Sequence, residues 1–324
     1  GPRLSLTGCA RTRCAQNPPE GPGPHSLRWV NSSSVPVVLV HWNQPAACLR
    51  TIERFRDEPE VCGIVVVDNG SEPDAVAAVA AYIDDLPTVE LLDLGRNTGF
   101  GPAANRGYQL WLAREGWEWI ALAPHDALPE PGAIGAALEI LSERPRAGLA
   151  SADVGDHATP VIDAYFGGIL APAAVAAGWE PADHPHGTLM FARRACLTDV
   201  GLFDERYFAY CEEADLALRA RARGWECGLL RGVMVENPYL SGTTAVVDYL
   251  QQRNTLLLVH EHFGTYHAFI RLMTGLIQLI RGALHPRHRP AVWHPRARVR
   301  AMLDFVRGVT GPPPSDVYDE GPRP

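Results

Sequence analysis

Short apolar runs, each closing on a polar cluster, set the rhythm of the first third of the chain. They fall at residues 35–40 (VPVVLV), 63–67 (GIVVV), 89–93 (VELLD) and 117–123 (WEWIALA). The first two are continuous rather than alternating, as expected of strands covered on both faces. The stretches between them have helical periodicity. Pro45 opens one in which Cys48, Ile52 and Phe55 share a face. Val76, Val79, Ala80 and Ile83 stripe the next, with Ser71 as its expected cap and Pro73 in its first turn. A third helix is expected over residues 102–115.

Strands alternating with helices at this spacing predict an α/β fold on a wound, largely parallel sheet. Ligands of such sheets bind beyond the carboxyl ends of the strands. The clusters His41-Trp42-Asn43, Asp68-Asn69-Gly70-Ser71, Arg96-Asn97 and His125-Asp126 all fall at those ends. Any one of them is compatible with a solvated loop, but four on one rim point to a ligand site. The second half is less regular. It predicts strands within 148–170 and at 187–192, a helix over 211–223, a short strand over 226–230, and helices over 246–262 and 266–284. The Pro-rich stretch from Gly311 reads as a loose tail.

Composition narrows the chemistry. All 29 basic residues are Arg, which excludes a lysine Schiff base and a Walker-type phosphate lysine. A net charge of -8 gives no general pull toward nucleic acid. The 7 Cys form no CxxC pair, so a structural zinc site is not expected, and most are read as small buried apolar residues of a reducing compartment. No apolar run has the roughly 18–20 residues of a membrane span. Residues 1–34, rich in Pro, Gly, Ser and Arg, read as a disordered leader outside the fold. The expected location is the cytoplasm, with peripheral contact to the inner face of the plasma membrane left open.

Three segments carry a resemblance to a known family: VVVDNGS at 65–71, GRNTGFGPAANRG at 95–107, and GTLMFARRACLTDVGLFDERYFAYCEEADLALRARARGW at 187–225. In this order and spacing they resemble family 2 glycosyltransferases of the GT-A fold, most nearly the rhamnosyltransferase-like subgroup. The similarity runs over about 35–260. It implies a GT-A catalytic domain at 35–262, with a nucleotide-binding half at 35–130 and an acceptor and catalytic half at 131–262. A C-terminal helical extension at 263–310 and a flexible tail at 311–324 follow. The implied activity is inverting transfer from a UDP- or dTDP-sugar, dTDP-rhamnose or another deoxysugar among the candidates, to a hydroxyl of a glycan, a lipid-linked or a natural-product acceptor. A homo-oligomer is compatible with it. A sugar nucleotidylyltransferase shares a related fold, but HWNQPAAC after the first strand offers no Gly-rich basic loop.

The resemblance also implies residue roles. Asp68 should hydrogen-bond the pyrimidine base, although an Asx-turn closing its strand explains it equally. His41 and Asn43 should flank the nucleoside. Arg96 is suited to the diphosphate by its bidentate guanidinium, or is a surface Arg. Gly99 and Gly101 allow close backbone approach to the donor, and Asn105 follows one helical turn later. Glu212-Glu213-Ala214-Asp215-Leu216 stands where the family has Glu-Asp-x-Asp-Leu, which makes Glu213 the expected base, with Glu212 as the other candidate. Asp215 and Arg219, at i and i+4, read as an intrahelical ion pair. His186 is a second base, a diphosphate contact or a surface loop histidine.

Two departures concern a metal. The family's Asp-x-Asp is Pro124-His125-Asp126 here, so one carboxylate survives, and Glu236 stands where the family often has a His, counting back from Ser241. Asp126 and Glu236, with His125 as a further ligand or donor contact, are the expected holders of Mg²⁺ or Mn²⁺. Replacement of the metal by Arg96, or a degenerate nucleotide-sugar binder, stay open. Residues 238–247 are a candidate lid. Residues 281–300 hold six Arg, three His and no acid. With the preceding helix, residues 266–300 either pack on the catalytic domain with a solvated basic rim or lie on an anionic membrane.

Overall fold

Side-chain alternation along the first strand decides the layering. In the computed structural model, which describes residues 33–237 and 244–318, strand β1 (Val35–His41) is buried throughout. Val35, Val37 and Leu39 enter one core, and Val38 and Val40 the other. A strand apolar on both faces needs cover on both, and helices supply it. On one side, α1 (Pro45–Arg56), α2 (Pro73–Ile83) and α4 (Ala133–Ser142) contribute Ile52, Phe55, Val79 and Ile134. On the other, α3 (Phe100–Leu112), α5 (Arg194–Val200) and α6 (Glu212–Ala222) contribute Ala103, Tyr108, Leu197 and Leu216.

The sheet adds β2 (Val61–Asp68), β3 (Val89–Asp93), β4 (Trp119–Pro124), β5 (Leu128–Pro129), β6 (Ala147–Asp153), β10 (Met190–Arg193) and β11 (Glu226–Glu236), in the order β3-β2-β1-β4-β10-β6-β11-β5. β9 (Gly178–Pro181) pairs with β11. The pairs β1–β2, β1–β4, β2–β3 and β6–β11 are parallel, whereas β10 runs antiparallel to both β4 and β6. The sheet is therefore mixed, with its parallel half built from the first four predicted strands. β7 (Ala158–Asp163) and β8 (Gly167–Pro172) form a separate hairpin. Arg231, 3% exposed, ties this half together by pairing with Glu180 (2.5 Å) and Asp153 (3.2 Å) while donating to the Ala158 carbonyl (2.7 Å).

Several expected elements shift. Ser71 does not cap α2; Glu72 holds that position without a side-chain bond. The Ser71 N–H instead donates to Asp68 Oδ1 (2.8 Å), which closes the Asx-turn. The expected short strand at 226–230 continues to Glu236. Of the cysteines, Cys48, Cys196 and Cys227 are buried, Cys211 is half-buried and Cys62 is exposed.

The C-terminal helices are α7 (Thr244–Phe263), α8 (Thr265–Leu284), α9 (Pro295–Val306) and α10 (Ser315–Tyr318). α7 packs on both α8 and α9, so the boundary expected at 262/263 cuts through one helical unit. The expected loose tail also docks in part, with Val317 buried and α10 against α7. Residues 1–32 of the leader expected over 1–34, the first six residues of the candidate lid (238–243) and the end of the tail (319–324) lie outside the described residues.

Candidate active site

The carboxyl ends of β1 and β4, the loop after β2 and the amino ends of α3 and α6 open on one cleft of about 330 Å³. On the sheet side it is lined by Val40, Trp42, Asn69, Pro124 and His125. Asn97, Gly99 and Phe100 come from the turn into α3. Gly187 and Thr188 precede β10, and Phe208 to Tyr210 lead to Glu212 and Glu213 at the start of α6. Asn237, the Val246, Val247 and Leu250 face of α7, and Tyr318 complete the wall.

At the floor, Asp68 is fully buried and accepts from His41 Nδ1 (2.7 Å) and from the Ser71 N–H. Burial alone would raise its carboxyl, but the hydrogen bonds from His41 and Ser71 hold it below the usual carboxylate range. The His41 and His125 rings meet edge to face at 5.6 Å. Their Nε2 atoms are buried and without a protein partner. Burial, with His41 beside it, pushes His125 down to about 4, so its imidazole is neutral at physiological pH. His125 thus brings to the cleft wall a neutral ring with a buried Nε2 whose hydrogen-bonding capacity the protein leaves unused.

The loop after β2 is fixed by Asn69. Its Oδ1 accepts from the Thr98 N–H (2.8 Å) and hydroxyl (3.0 Å), and its Nδ2 donates to Asn97 Oδ1 (3.1 Å). Asn43 joins the other side, its N–H donating to Ser71 Oγ (2.8 Å) and its Oδ1 accepting from the Glu72 N–H (2.7 Å). The cleft is thus lined by Trp42, Asn69 and Asn97, while Asn43 braces it from outside and Arg96 is exposed and outside the lining. Sequence reasoning quoted all three lining residues inside motifs but gave the roles to their neighbours.

Gly99 has a φ of 98°, and a Cβ there would stand 2.2 Å from the Phe208 carbonyl oxygen. The absent side chain therefore makes room for the protein's own loop rather than for a donor. A Cβ at Gly101 would make ordinary contact with Phe203 and Glu212 at 3.4 Å. Asn105 exchanges two hydrogen bonds with the Phe203 backbone (2.9 and 3.0 Å), tying α3 to the segment before α6 outside the cleft.

That segment is unusual. Phe208, Tyr210 and Cys211 all have φ between 65° and 73°, in the left-handed region that non-glycine residues avoid. Asn254 of α7, fully buried, faces the carbonyls of Tyr207 (2.7 Å), Ala209 (2.8 Å) and Tyr210 (2.9 Å) with its amide nitrogen. No sequence pattern flagged Asn254. Beyond the loop, Glu212 is 2% exposed with Oε2 unpartnered, and its carboxyl is raised well above the ordinary range by burial and by the charge of Glu213. Burial pushes Glu213 up to about 7 despite a hydrogen bond from the Gly187 backbone. Asp215 is occupied by Arg219 (2.9 Å) and His262 (2.8 Å), the first being the predicted intrahelical pair. His186, its ring lowered to about 4 by burial, has Nδ1 unpartnered and lies one residue outside the lining.

Asp126 is buried, and burial raises its carboxyl. Glu236 pairs in register with Leu128, which brings the two expected metal carboxylates to neighbouring strand ends, and the adjoining residues His125 and Asn237 line the cleft. Among the described residues no three His, Cys, Asp or Glu side chains converge as a metal site. These residues fit a hard cation only if phosphate oxygens and water complete its coordination.

Residues 37–160 match the family model described as "Glycosyl transferase family 2". The chain is 34% identical over 193 residues to the N-acetylglucosaminyl-diphospho-decaprenol L-rhamnosyltransferase of Mycobacterium tuberculosis, a match covering 50% of this chain and 62% of that protein. Among solved structures, the mannosyltransferase PcManGT from Pyrobaculum calidifontis, in complex with GDP-Man and Mn²⁺, superposes with a TM-score of 0.54 at 15% identity, covering 84% of this chain and 86% of that one. GalNAc-T7 with UDP, GalNAc and Mn²⁺ gives a TM-score of 0.61 at 14% identity, covering 91% and 59%. The architecture common to them is the GT-A fold.

Proposed function

From the match of residues 37–160 to the glycosyl transferase family 2 model, we propose that this chain transfers a sugar from a nucleoside diphosphate donor to an acceptor hydroxyl with inversion at the anomeric carbon. The observation that carries this reading is Glu213. Its carboxyl lines the cleft and titrates at about 7, where a general base is most effective at neutral pH. Glu213 takes the proton from the acceptor hydroxyl as that oxygen bonds to the anomeric carbon. The bond from that carbon to the diphosphate oxygen breaks, and the nucleoside diphosphate leaves on the opposite face. Burial and the charge of Glu213 raise the Glu212 carboxyl well above the ordinary range, which disfavours its ionised, basic form.

The donor nucleoside sits over the ends of β1 and β2, where Trp42 and Asn69 line the cleft and the His41–Asp68 pair lies beneath. His125 Nε2 meets a donor hydroxyl or phosphate oxygen. Asp126, with Glu236 beside its turn, would hold a Mg²⁺ or Mn²⁺ ion whose chemistry is to neutralise the charge building on the leaving diphosphate. A pyrimidine donor, UDP- or dTDP-linked, and a deoxysugar such as rhamnose are the proposed substrates. A lipid-linked diphosphate sugar is the favoured acceptor by likeness to the mycobacterial relative, of whose length this chain spans 62%.

Thermal shifts with UDP, dTDP and GDP test base identity, since a ligand at 100-fold its Kd stabilises by about 2.7 kcal/mol. A product assay with radiolabelled donor, with and without Mn²⁺, tests transfer. A shift with a pyrimidine diphosphate but no product would mean a binder that has lost catalysis. No shift with any of the three would sink the donor site as drawn.

A further inference from the structure

The cleft uses one end of α7. Its other end, with α8 and α9, builds a second surface on which the transfer chemistry makes no demand. α8 is about 30 Å long at helical rise, and one face of it carries Tyr266, Phe269, Leu276, Ile277, Ile280 and Leu284, each at least 41% exposed. Steps of three, four and seven residues, with Leu276 and Ile277 side by side, keep these positions on one stripe. Val299, Leu303 and Val306 make a similar stripe on α9, each at least 43% exposed. The two meet across a groove of about 470 Å³ lined by Phe269, Leu272, Leu257 and Val306. A soluble monomer does not leave so continuous an apolar face in water without use.

Charge selects the occupant. The chain carries a net -8, yet from His262 to Leu303 it has no Asp or Glu and seven Arg. Arg271 and Arg298 are buried, and Arg298 and Arg300 are paired with Asp248 and Asp304. Arg281, Arg287 and Arg289 are exposed and make no ion pair among the described residues. Arg281 follows Ile277 by one helical turn, and the Arg289 Nε donates to the Gly282 carbonyl (2.9 Å), which holds it at the end of α8. An apolar helix face bordered by unpaired guanidinium groups matches the boundary between acyl chains and anionic headgroups. No helix among the described residues is long and apolar enough to cross a membrane.

We propose that the α8–α9 face docks this protein on an anionic lipid surface, with the apolar stripe in the acyl boundary and Arg281, Arg287 and Arg289 among the headgroups. This rests on the surface alone and not on the proposed transfer reaction. The test is flotation of the full chain with phosphatidylcholine vesicles, with and without about 30 mol% phosphatidylglycerol, an anionic lipid of the kind that attracts basic segments. Wild type should float only with the anionic vesicles and be released as salt rises. The triple variant R281A/R287A/R289A should lose on the order of 100-fold in partitioning, and I277E/I280E about tenfold or more. Both should keep the wild-type Tm and nucleotide-induced thermal shift, which reports that the fold and the cleft are intact. Failure of wild type to float with anionic vesicles overturns the proposal. So does a sedimenting dimer that I277E/I280E dissociates, because the face would then be covered by a second copy.

Discussion

Glu213→Gln tests the site at its most constrained point, because it keeps the side chain's size and removes its charge. Burial lifts the Glu213 carboxyl from an ordinary 4.5 to about 7, which corresponds to about 3 kcal/mol of preference for the neutral form. Between those two pH values the folded protein keeps a proton that the unfolded chain has released. Stability that is full below pH 4.5 is therefore lost as pH rises to about 7. Gln does not titrate, so the variant escapes this loss. Its Tm should match wild type near pH 4.5 and exceed it by about 5–10 °C above pH 7. Transfer should fall by about 10²–10⁴-fold, the worth of a positioned base. The neighbouring variant gives the contrast. Glu212→Gln removes a group whose ionised form burial and the Glu213 charge already disfavour, so its pH–rate profile should keep the acidic limb set by Glu213. The assays are Tm against pH by calorimetry and initial transfer rate against pH. The reasoning fails if Glu213→Gln transfers sugar near the wild-type rate, or if Glu212→Gln alone abolishes the limb. It fails equally if the Tm of Glu213→Gln follows wild type from pH 5 to 8.

Asn254→Ala should cost about 1–3 kcal/mol in urea unfolding and lower kcat more than KM, because it frees the loop that carries Glu213; an unchanged kcat would show that the loop holds itself. Arg231→Met strands Glu180 and Asp153 as buried charges and should cost about 3–5 kcal/mol, read from the urea midpoint; a loss under about 1 kcal/mol would mean the two carboxylates find other partners. Asp126→Ala should erase any Mn²⁺ response of the transfer rate, and an unchanged response would remove Asp126 from the metal's coordination.

The parallel half of the sheet was legible because its inner strands β1, β2 and β4 are apolar on both faces and its helices are amphipathic at the right spacing. Those two patterns leave few ways to layer the chain. The antiparallel β10 and the hairpin β7–β8 were less so, since a short strand entering a sheet beside two partners needs no distinctive period. The rim of the site was legible at motif resolution but not at residue resolution. Alternation explains this at the end of β1: His41 is buried on the strand, Trp42 turns to the cleft, and Asn43 takes a φ of 52° to clamp Ser71 and Glu72. A polar triplet in sequence says nothing of which member faces the ligand. Gly99 was read as clearance for the donor, whereas the clearance is taken by Phe208, more than a hundred positions later, and no local pattern records such a meeting.

The strained loop shows why the C-terminal helices are part of the site and not an appendage to it. Left-handed φ values at Phe208, Tyr210 and Cys211 cost on the order of 1–3 kcal/mol each, and such strain persists only where surroundings fix it. The fixing group is one amide on α7, set beneath three carbonyls of the loop backbone, those of Tyr207, Ala209 and Tyr210. α7 is in turn held by α9: Asp248 accepts from Arg298 (2.7 Å), and the Tyr249 hydroxyl donates to Asp304 (2.9 Å). The orientation of the α6 carboxylates thus depends on contacts that run from α9 through α7 to the loop. Loosening α9 should therefore reach Glu213 without touching the cleft. Asp304→Asn, far from any substrate, should lower transfer while leaving nucleotide-induced thermal shifts unchanged, because the nucleoside end of the cleft is built on β1 and β2 instead. Equal losses of binding and transfer would show that α9 only stabilises the fold, and that the loop takes its conformation from Gly99 and α6 alone.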